Sequence, residues 1–139
     1  MHNSLVDKLT WVKPTMKEIS KAVIEKDAKF LLLKRSPNSK TYPNSWDFVG
    51  GKLDLGETPK EAVIRETKEE ISYDIAFGEE IREERYTSKE RDLLFHYFIP
   101  QSFSGKIKLS KDHSMEGWFD KEEIKELELH PSVKLFFKF

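Results

Sequence analysis

The chain has 139 residues, enough for one domain with a sizeable core. Charged residues make up 35%, above the ~25% usual for globular domains, yet the formal net charge is −1, so the total gives no sign of a polyanion-binding surface. The absence of cysteine excludes disulfides, zinc–thiolate sites and thiol nucleophiles; no apolar run is long enough to cross a membrane and the first residues lack a signal-peptide core, so the expectation is a cytoplasmic protein with neither a membrane nor a nucleic-acid polymer as partner.

Residues 1–17 read as a polar arm with a few apolar points, Leu5, Val6, Leu9, Trp11 and Val12, and Pro14 ends any helix there. The arm packs on the domain or on a second copy with Trp11 as its anchor, or it is a disordered start as far as Thr10. Monomer and homodimer both stay open. The domain itself is expected over residues 18–139, with no internal repeat. Ile19–Glu25 and Lys29–Lys34 read as strands joined by a turn at Lys26-Asp27, since the run Phe30–Leu33 is too short for a helix. Arg35 follows directly, Ser36–Asn44 is a loop by composition, and Trp46–Val49 is a short strand leading into Gly50.

The stretch from Gly50 to Tyr73 holds a loop with Gly50, Gly51 and Gly56, then a helix start. Thr58 is a good N-cap, Pro59 suits the first helical position, and Glu61 completes a capping box with Thr58, so a helix is predicted from Pro59 to about Ile71. Glu66, Glu69 and Glu70 stand at i, i+3 and i+4 and share one helix face. Like charges at this spacing destabilise a helix, and a bound cation removes the penalty; hard oxygen ligands suit magnesium or manganese. The alternative is a solvated acidic face, with Arg65 pairing with Glu61 four residues before it.

Beyond this helix, Glu79–Ser88 and Leu93–Pro100 read as long strands, with Glu79, Glu80, Glu83 and Glu84 solvated and Leu94, Tyr97 and Phe98 supplying core. Phe103–Leu109 is a further candidate strand, and Met115–Phe119 is short and extended. Asp120 caps a helix from Lys121 to about Leu127, and Ser132, after His130-Pro131, caps a last helix carrying Val133, Leu135, Phe136 and Phe137. Strands and helices mix without strict βαβ alternation, which predicts an α/β (α+β) domain with a mixed sheet and helices on both sides.

Gly51, Glu57, Arg65-Glu66 and Glu69-Glu70, at these spacings, resemble the Nudix box, G-x5-E-x7-R-E-U-x-E-E-x-G-U with U aliphatic. Every charged position and the first glycine match; Thr67 and Tyr73 stand in place of aliphatic residues and Ser72 in place of the second glycine. The approach to it, Lys34-Arg35, a polar loop, then Trp46-Asp47-Phe48-Val49-Gly50-Gly51, is similar to that of MutT-type members, with Val49 where proline is common. The resemblance implies an αβα sandwich around a mixed sheet and hydrolysis of a nucleoside diphosphate linked to another moiety, by attack of water on phosphorus with Mg2+ (or Mn2+) as cofactor.

The same resemblance implies roles residue by residue. Glu66 and Glu70 are the principal metal ligands, Glu69 a further ligand, and the Gly50 carbonyl an additional one. Arg65 orients the glutamates and Glu57 holds the loop. Glu116, just before Gly117-Trp118, is a general base or extra ligand, whereas His113 is left outside the site. Arg35, Lys52 and Phe48 are the candidate substrate contacts; Phe48 and Trp46 are expected to face opposite sides, one toward the base pocket and the other into the core. The expected substrate is a nucleoside triphosphate, normal or oxidised, cut to the monophosphate and pyrophosphate. Competing readings are a nucleotide-sugar or dinucleotide pyrophosphatase, or a silent binding module of the same fold.

Overall fold

The structure is a computed structural model and describes residues 16–103 and 106–139. Most of the expected N-terminal arm, with Trp11, lies outside the described residues. Lys17 opens strand β1 (Lys17–Ala22), followed by β2 (Glu25–Lys26), β3 (Lys29–Arg35), β4 (Trp46–Asp47), β5 (Val49–Lys52), helix α1 (Pro59–Ile71), β6 (Phe77–Thr87), β7 (Asp92–Pro100), β8 (His113–Phe119), α2 (Lys121–Lys125) and α3 (Pro131–Phe137). One sheet runs β5-β1-β7-β6, with β1 and β7 parallel and the other pairs antiparallel. In the other, β3 pairs antiparallel with β2, β4 and β8.

Two predicted strands each divide because the chain changes sheet midway. Val23 N–H donates to Phe98 O in the first sheet, while Ile24 O accepts from Leu31 N–H in the second, so Ile19–Glu25 becomes β1 and β2. The turn sits one residue later than expected, at Asp27 and Ala28, both with positive φ. Likewise Asp47 pairs with Leu33 and Val49 with Ala22, which splits Trp46–Val49 at Phe48. Trp46 and Phe48 do not face opposite sides: residues two apart on an extended chain share a face, and both enter one core.

That core lies between the sheets and α2 and α3, and includes Phe30, Leu32, Phe95, Tyr97, Ile124 and Val133. A second core on the other side joins Val63 and Ile71 of α1 to Leu31, Leu33, Val49 and Phe98. Helices thus cover both faces, as the resemblance implied. Leu94 is only half-buried, and Leu93 and Phe95 take the core positions expected of it. No helix among the described residues is long and apolar enough to cross a membrane.

Local signals set α1. The Thr58–Glu61 capping box is present, and Ala62, Val63, Thr67 and Ile71 form its buried face. Ser72 takes the left-handed C-cap conformation at φ 59° where the box has glycine. The described part of Phe103–Leu109 is not a strand. Phe103, Ile107 and Leu109 pack on the second core, and the N–H groups of Lys108 and Ser110 donate to Ile71 O and Glu70 O. The free carbonyls at the end of α1 serve this segment in place of a strand partner. The last helix is capped by His130 rather than Ser132: Ser132 N–H donates to His130 Nδ1, with Pro131 at the first position, while the Ser132 hydroxyl turns to Asp47.

Candidate active site

The α1 carboxylates meet the chain at β5. Thr67 and Ile71 face the core, so the residues just before them, Glu66 and Glu70, lie on the rim of that buried face and Glu69 turns further out. Gly50 N–H donates to Glu70 Oε1 at 2.8 Å. A Cβ on Gly51 would stand 2.5 Å from Glu66 Cδ, so the missing side chain is the space that the Glu66 carboxylate fills. Burial pushes the Glu70 carboxyl up to about 8, against the opposing pull of the Lys21 ammonium and the Gly50 N–H. Burial likewise raises Glu66, partly offset by Arg65. These are recessed carboxylates whose ionised form improves when a cation shares the recess, which fits a metal site.

Arg65 is the hub of the outer network. It donates to Glu57 at 2.8 and 2.9 Å, to Glu66 at 2.9 Å, to Glu69 at 3.2 Å and to Lys52 O at 3.0 Å. Glu61 is occupied in the capping box, so the simple surface pair with Arg65 does not form. The bonds to Arg65, with the Asp54 N–H that donates to Glu57, hold the Glu57 carboxyl below its ordinary range. The box glutamate therefore ties the glycine loop to the helix.

A cavity of about 880 Å³ opens beside Glu70, with Arg35, Gly50, Gly51, Lys52 and His113 in its wall. Lys17 and Arg91 add further positive charge, and the charge of Lys17, ahead of burial, lowers the Lys52 ammonium. Arg35 is aimed by Thr41 O at 3.0 Å, Ser39 Oγ and Thr41 Oγ1 at 3.1 Å, and Asp47 Oδ2 at 3.3 Å. Four of the expected residues, Arg35, Gly50, Lys52 and Glu70, thus line one cavity, with Glu66 directly behind Gly51.

Two expected residues stand elsewhere. Phe48 is 1% exposed and packs among Tyr97, Phe136 and Phe137, because the share-a-face rule sends it with Trp46 into the core. Glu116 pairs opposite Leu33 and lines a separate cleft with Phe103 and Trp118. The β8 register instead places His113 opposite Arg35, with Nε2 4.0 Å from Glu70 Oε2, so the histidine left outside the site lines its cavity. Burial lowers the His113 imidazole.

Sequence reasoning also missed a buried polar pair beneath the cavity. Lys21 Nζ donates to Asp47 Oδ2 at 2.9 Å, and Ser132 Oγ donates to Asp47 Oδ1 at 2.7 Å. Burial alone pushes Asp47 up, but His130, Lys21 and the Ser132 hydroxyl outweigh it and hold it well below the carboxylate range. Lys21 Nζ also reaches Gly50 O at 3.5 Å. The signal was there: Lys21 is the one charge between Ile19 and Ile24, in a strand otherwise apolar or small.

The family model described as NUDIX domain matches residues 17–138. The chain is 29% identical over 117 residues to CTP pyrophosphohydrolase of Escherichia coli (strain K12), covering 84% of this chain and 85% of that protein. It is 25% identical over 126 residues to nucleoside triphosphatase NudI of Enterobacter sp. (strain 638), covering 83% and 89%. The crystal structure of MutT protein from Methanosarcina mazei Go1 superposes with a TM-score of 0.83 at 28% identity, over 92% of this chain and 94% of that one. With a family match that runs from the first residue of β1 to Lys138 and includes the whole Gly51–Glu70 constellation, the chain belongs to the NUDIX domain family.

Proposed function

We propose that this Nudix hydrolase cleaves a nucleoside triphosphate to the monophosphate and pyrophosphate, with Mg2+ or Mn2+ as cofactor and a cytoplasmic nucleotide pool as its source of substrate. The observation that carries the reading is Glu70, recessed against Gly50 N–H at the wall of a cavity whose six Arg and Lys side chains outnumber its four carboxylates. A polyphosphate needs cationic walls, and its cleavage needs carboxylates that hold a metal beside them. Relatives named as a CTP pyrophosphohydrolase and a nucleoside triphosphatase support the triphosphate in particular. All three candidate metal-ligating glutamates, Glu66, Glu69 and Glu70, are present, which speaks against a silent binding module.

In this reading Glu66, Glu69 and Glu70, with the Gly50 carbonyl, hold the cation, which when bound offsets pyrophosphate charge and acidifies a water. Arg35 and Lys52 receive the phosphates from the opposite wall. Arg65 keeps the glutamates aligned, and Glu57 anchors it to the loop. Glu116 lies outside the cavity, so in this reading the proton of the attacking water would pass to one of the box carboxylates.

Pyrophosphate release with Mg2+ over normal and oxidised nucleoside triphosphates, a dinucleotide and a nucleotide sugar tests the assignment. Release from a triphosphate is expected to dominate; cleavage of the dinucleotide or sugar alone rejects it. Excess chelator should stop turnover, and full turnover in chelator would sink the metal site. Arg65→Ala should fold normally but weaken metal binding and turnover by about 10–100-fold, as loss of an outer partner of metal ligands does. Wild-type turnover in that variant would show Arg65 to be a surface ion pair only.

A further inference from the structure

Among the described residues, the hydrogen-bond and ion-pair partners of one buried imidazole are all carboxylates. His96 lies in the middle of β7 and is 4% exposed. Its Nδ1 is 2.7 Å from Glu80 Oε1 and 3.5 Å from Glu83 Oε2, and its Nε2 is 2.8 Å from Glu18 Oε1. Because β7 runs between β1 and β6, the carboxylates reach the ring from both neighbouring strands. The sequence led us to expect Glu80 and Glu83 to be solvated; Glu83 is exposed and Glu80 half-buried, and both carboxylates reach toward His96.

The backbone is shaped for this. Residues three apart point to opposite faces of a regular strand, so Glu80 and Glu83 would not normally meet. The β6–β7 register shifts on both sides of Glu80, between Phe77 and Glu80 and between Glu80 and Arg82. Ile81 is left over as the extra residue of a bulge, the device that re-aims strand side chains. Among the described residues no lysine or arginine pairs with Glu18, Glu80 or Glu83.

A neutral imidazole carries one N–H and one lone pair. With a carboxylate at each nitrogen, one contact would set lone pair against lone pair. The arrangement closes when one further proton is held, on the ring or on a facing carboxyl, or when a metal ion stands at Nδ1. A proton offsets one of the carboxylate charges and a divalent metal ion two. The three donor atoms at that spot, from Glu80, Glu83 and His96, lie within 4.8 Å of one another. On the far side of the ring Glu18 accepts at Nε2, the outer carboxylate that metal-bound histidines characteristically have. One nitrogen and two carboxylate oxygens suit a zinc-type ion; Mg2+ prefers an all-oxygen octahedron.

We propose that Glu80, Glu83 and His96 Nδ1 form a second metal site that takes a zinc-type transition-metal ion, with Glu18 fixing the imidazole through Nε2. The ion ties β6 to β7, and through Glu18 to β1, two strands across from the Gly51 that the Glu66 carboxylate covers. Its effect is on the sheet rather than on the chemistry.

The test titrates Zn2+ into the full chain in excess Mg2+, following heat and the imidazole 15N resonances together. Glu83→Gln is the decisive variant, since Glu83 is 53% exposed and its loss leaves the core untouched. Wild type should bind one Zn2+ at least about tenfold more tightly than Glu83→Gln, with the His96 Nδ1 resonance shifting in step. Mg2+-dependent hydrolysis should be equal in the two proteins. Equal Zn2+ affinity, or His96 resonances that Zn2+ does not move, would overturn the site; a ring found protonated at both nitrogens and indifferent to Zn2+ would identify the proton as the occupant.

Discussion

Glu70→Gln should collapse hydrolysis while leaving the metal-free protein as stable as wild type or more so. Glutamine keeps the shape of the side chain and its oxygen can still accept from Gly50 N–H, the 2.8 Å bond that seats Glu70. What it removes is the charge that holds a hard cation, and metal stabilisation of a phosphoryl transition state is worth several kcal/mol. Turnover should therefore fall by ~10²–10⁴. Stability moves the other way. Burial holds the carboxyl up to about 8 in the fold against an ordinary 4.5, so the folded chain resists its ionisation. In chelator the wild type loses stability as pH rises from about 4.5 to about 8, and the glutamine variant does not. Repulsion from Glu66, about 0.2–0.5 kcal/mol at this spacing, is part of that pH-dependent loss and is felt only once the carboxyl ionises. Melting curves in chelator at acid and mildly alkaline pH, beside a rate assay with Mg2+, read both effects. Near-normal turnover at an unchanged or raised melting temperature would mean a merely solvated acidic face.

Gly50→Ala should have the largest effect on stability. Gly50 lies at φ 142°, a region side chains rarely adopt, and pairs with Lys21 across β1 and β5. A Cβ there would sit 2.0 Å from Ser20 O and 2.9 Å from Lys21 Cα, both backbone atoms that a rotamer change cannot move aside. Relief requires β5 to shift away from β1, which pulls Gly50 N–H off Glu70 and disturbs the Lys21–Asp47 pair beneath. Backbone strain of ~1–3 kcal/mol adds to the clash, so a loss of ~3 kcal/mol or more and a melting point lower by about 10 °C are expected, with activity lost in whatever stays folded. Gly56→Ala is the control: its φ is 81° but nothing lies within 4 Å of the added Cβ, so only ~1 kcal/mol of strain applies. A Gly50→Ala protein melting within about 2 °C of the Gly56→Ala control would refute the clash.

What could be read from the chain alone was local. The bounds of α1 follow from bonds between residues three or four apart, Thr58 with Glu61, and from an apolar face that repeats with the helix. The Gly51–Glu70 constellation was legible because its members are fixed by one loop and one helix, so spacing in sequence is spacing in space. The Glu57–Arg65 tie spans only eight residues and belongs to the same class.

Everything decided by pairing of distant strands stayed hidden. Whether Glu116 or His113 reaches the cavity depends on the register of β8 against β3, some eighty residues apart in the chain, which no local pattern encodes. The Lys21–Asp47–Ser132 group joins three segments, and its members look unremarkable one at a time. The sheet changes at Val23-Ile24 and at Phe48 come from which partner strand offers a free carbonyl or amide, not from a break in the apolar pattern. The bulge at Ile81, which turns Glu80 and Glu83 toward His96, is a property of the β6–β7 ladder and of neither strand by itself. Short-range hydrogen bonds and periodicity were enough to determine the helix and its carboxylates; the packing of the sheets decided which side chains share their cavity.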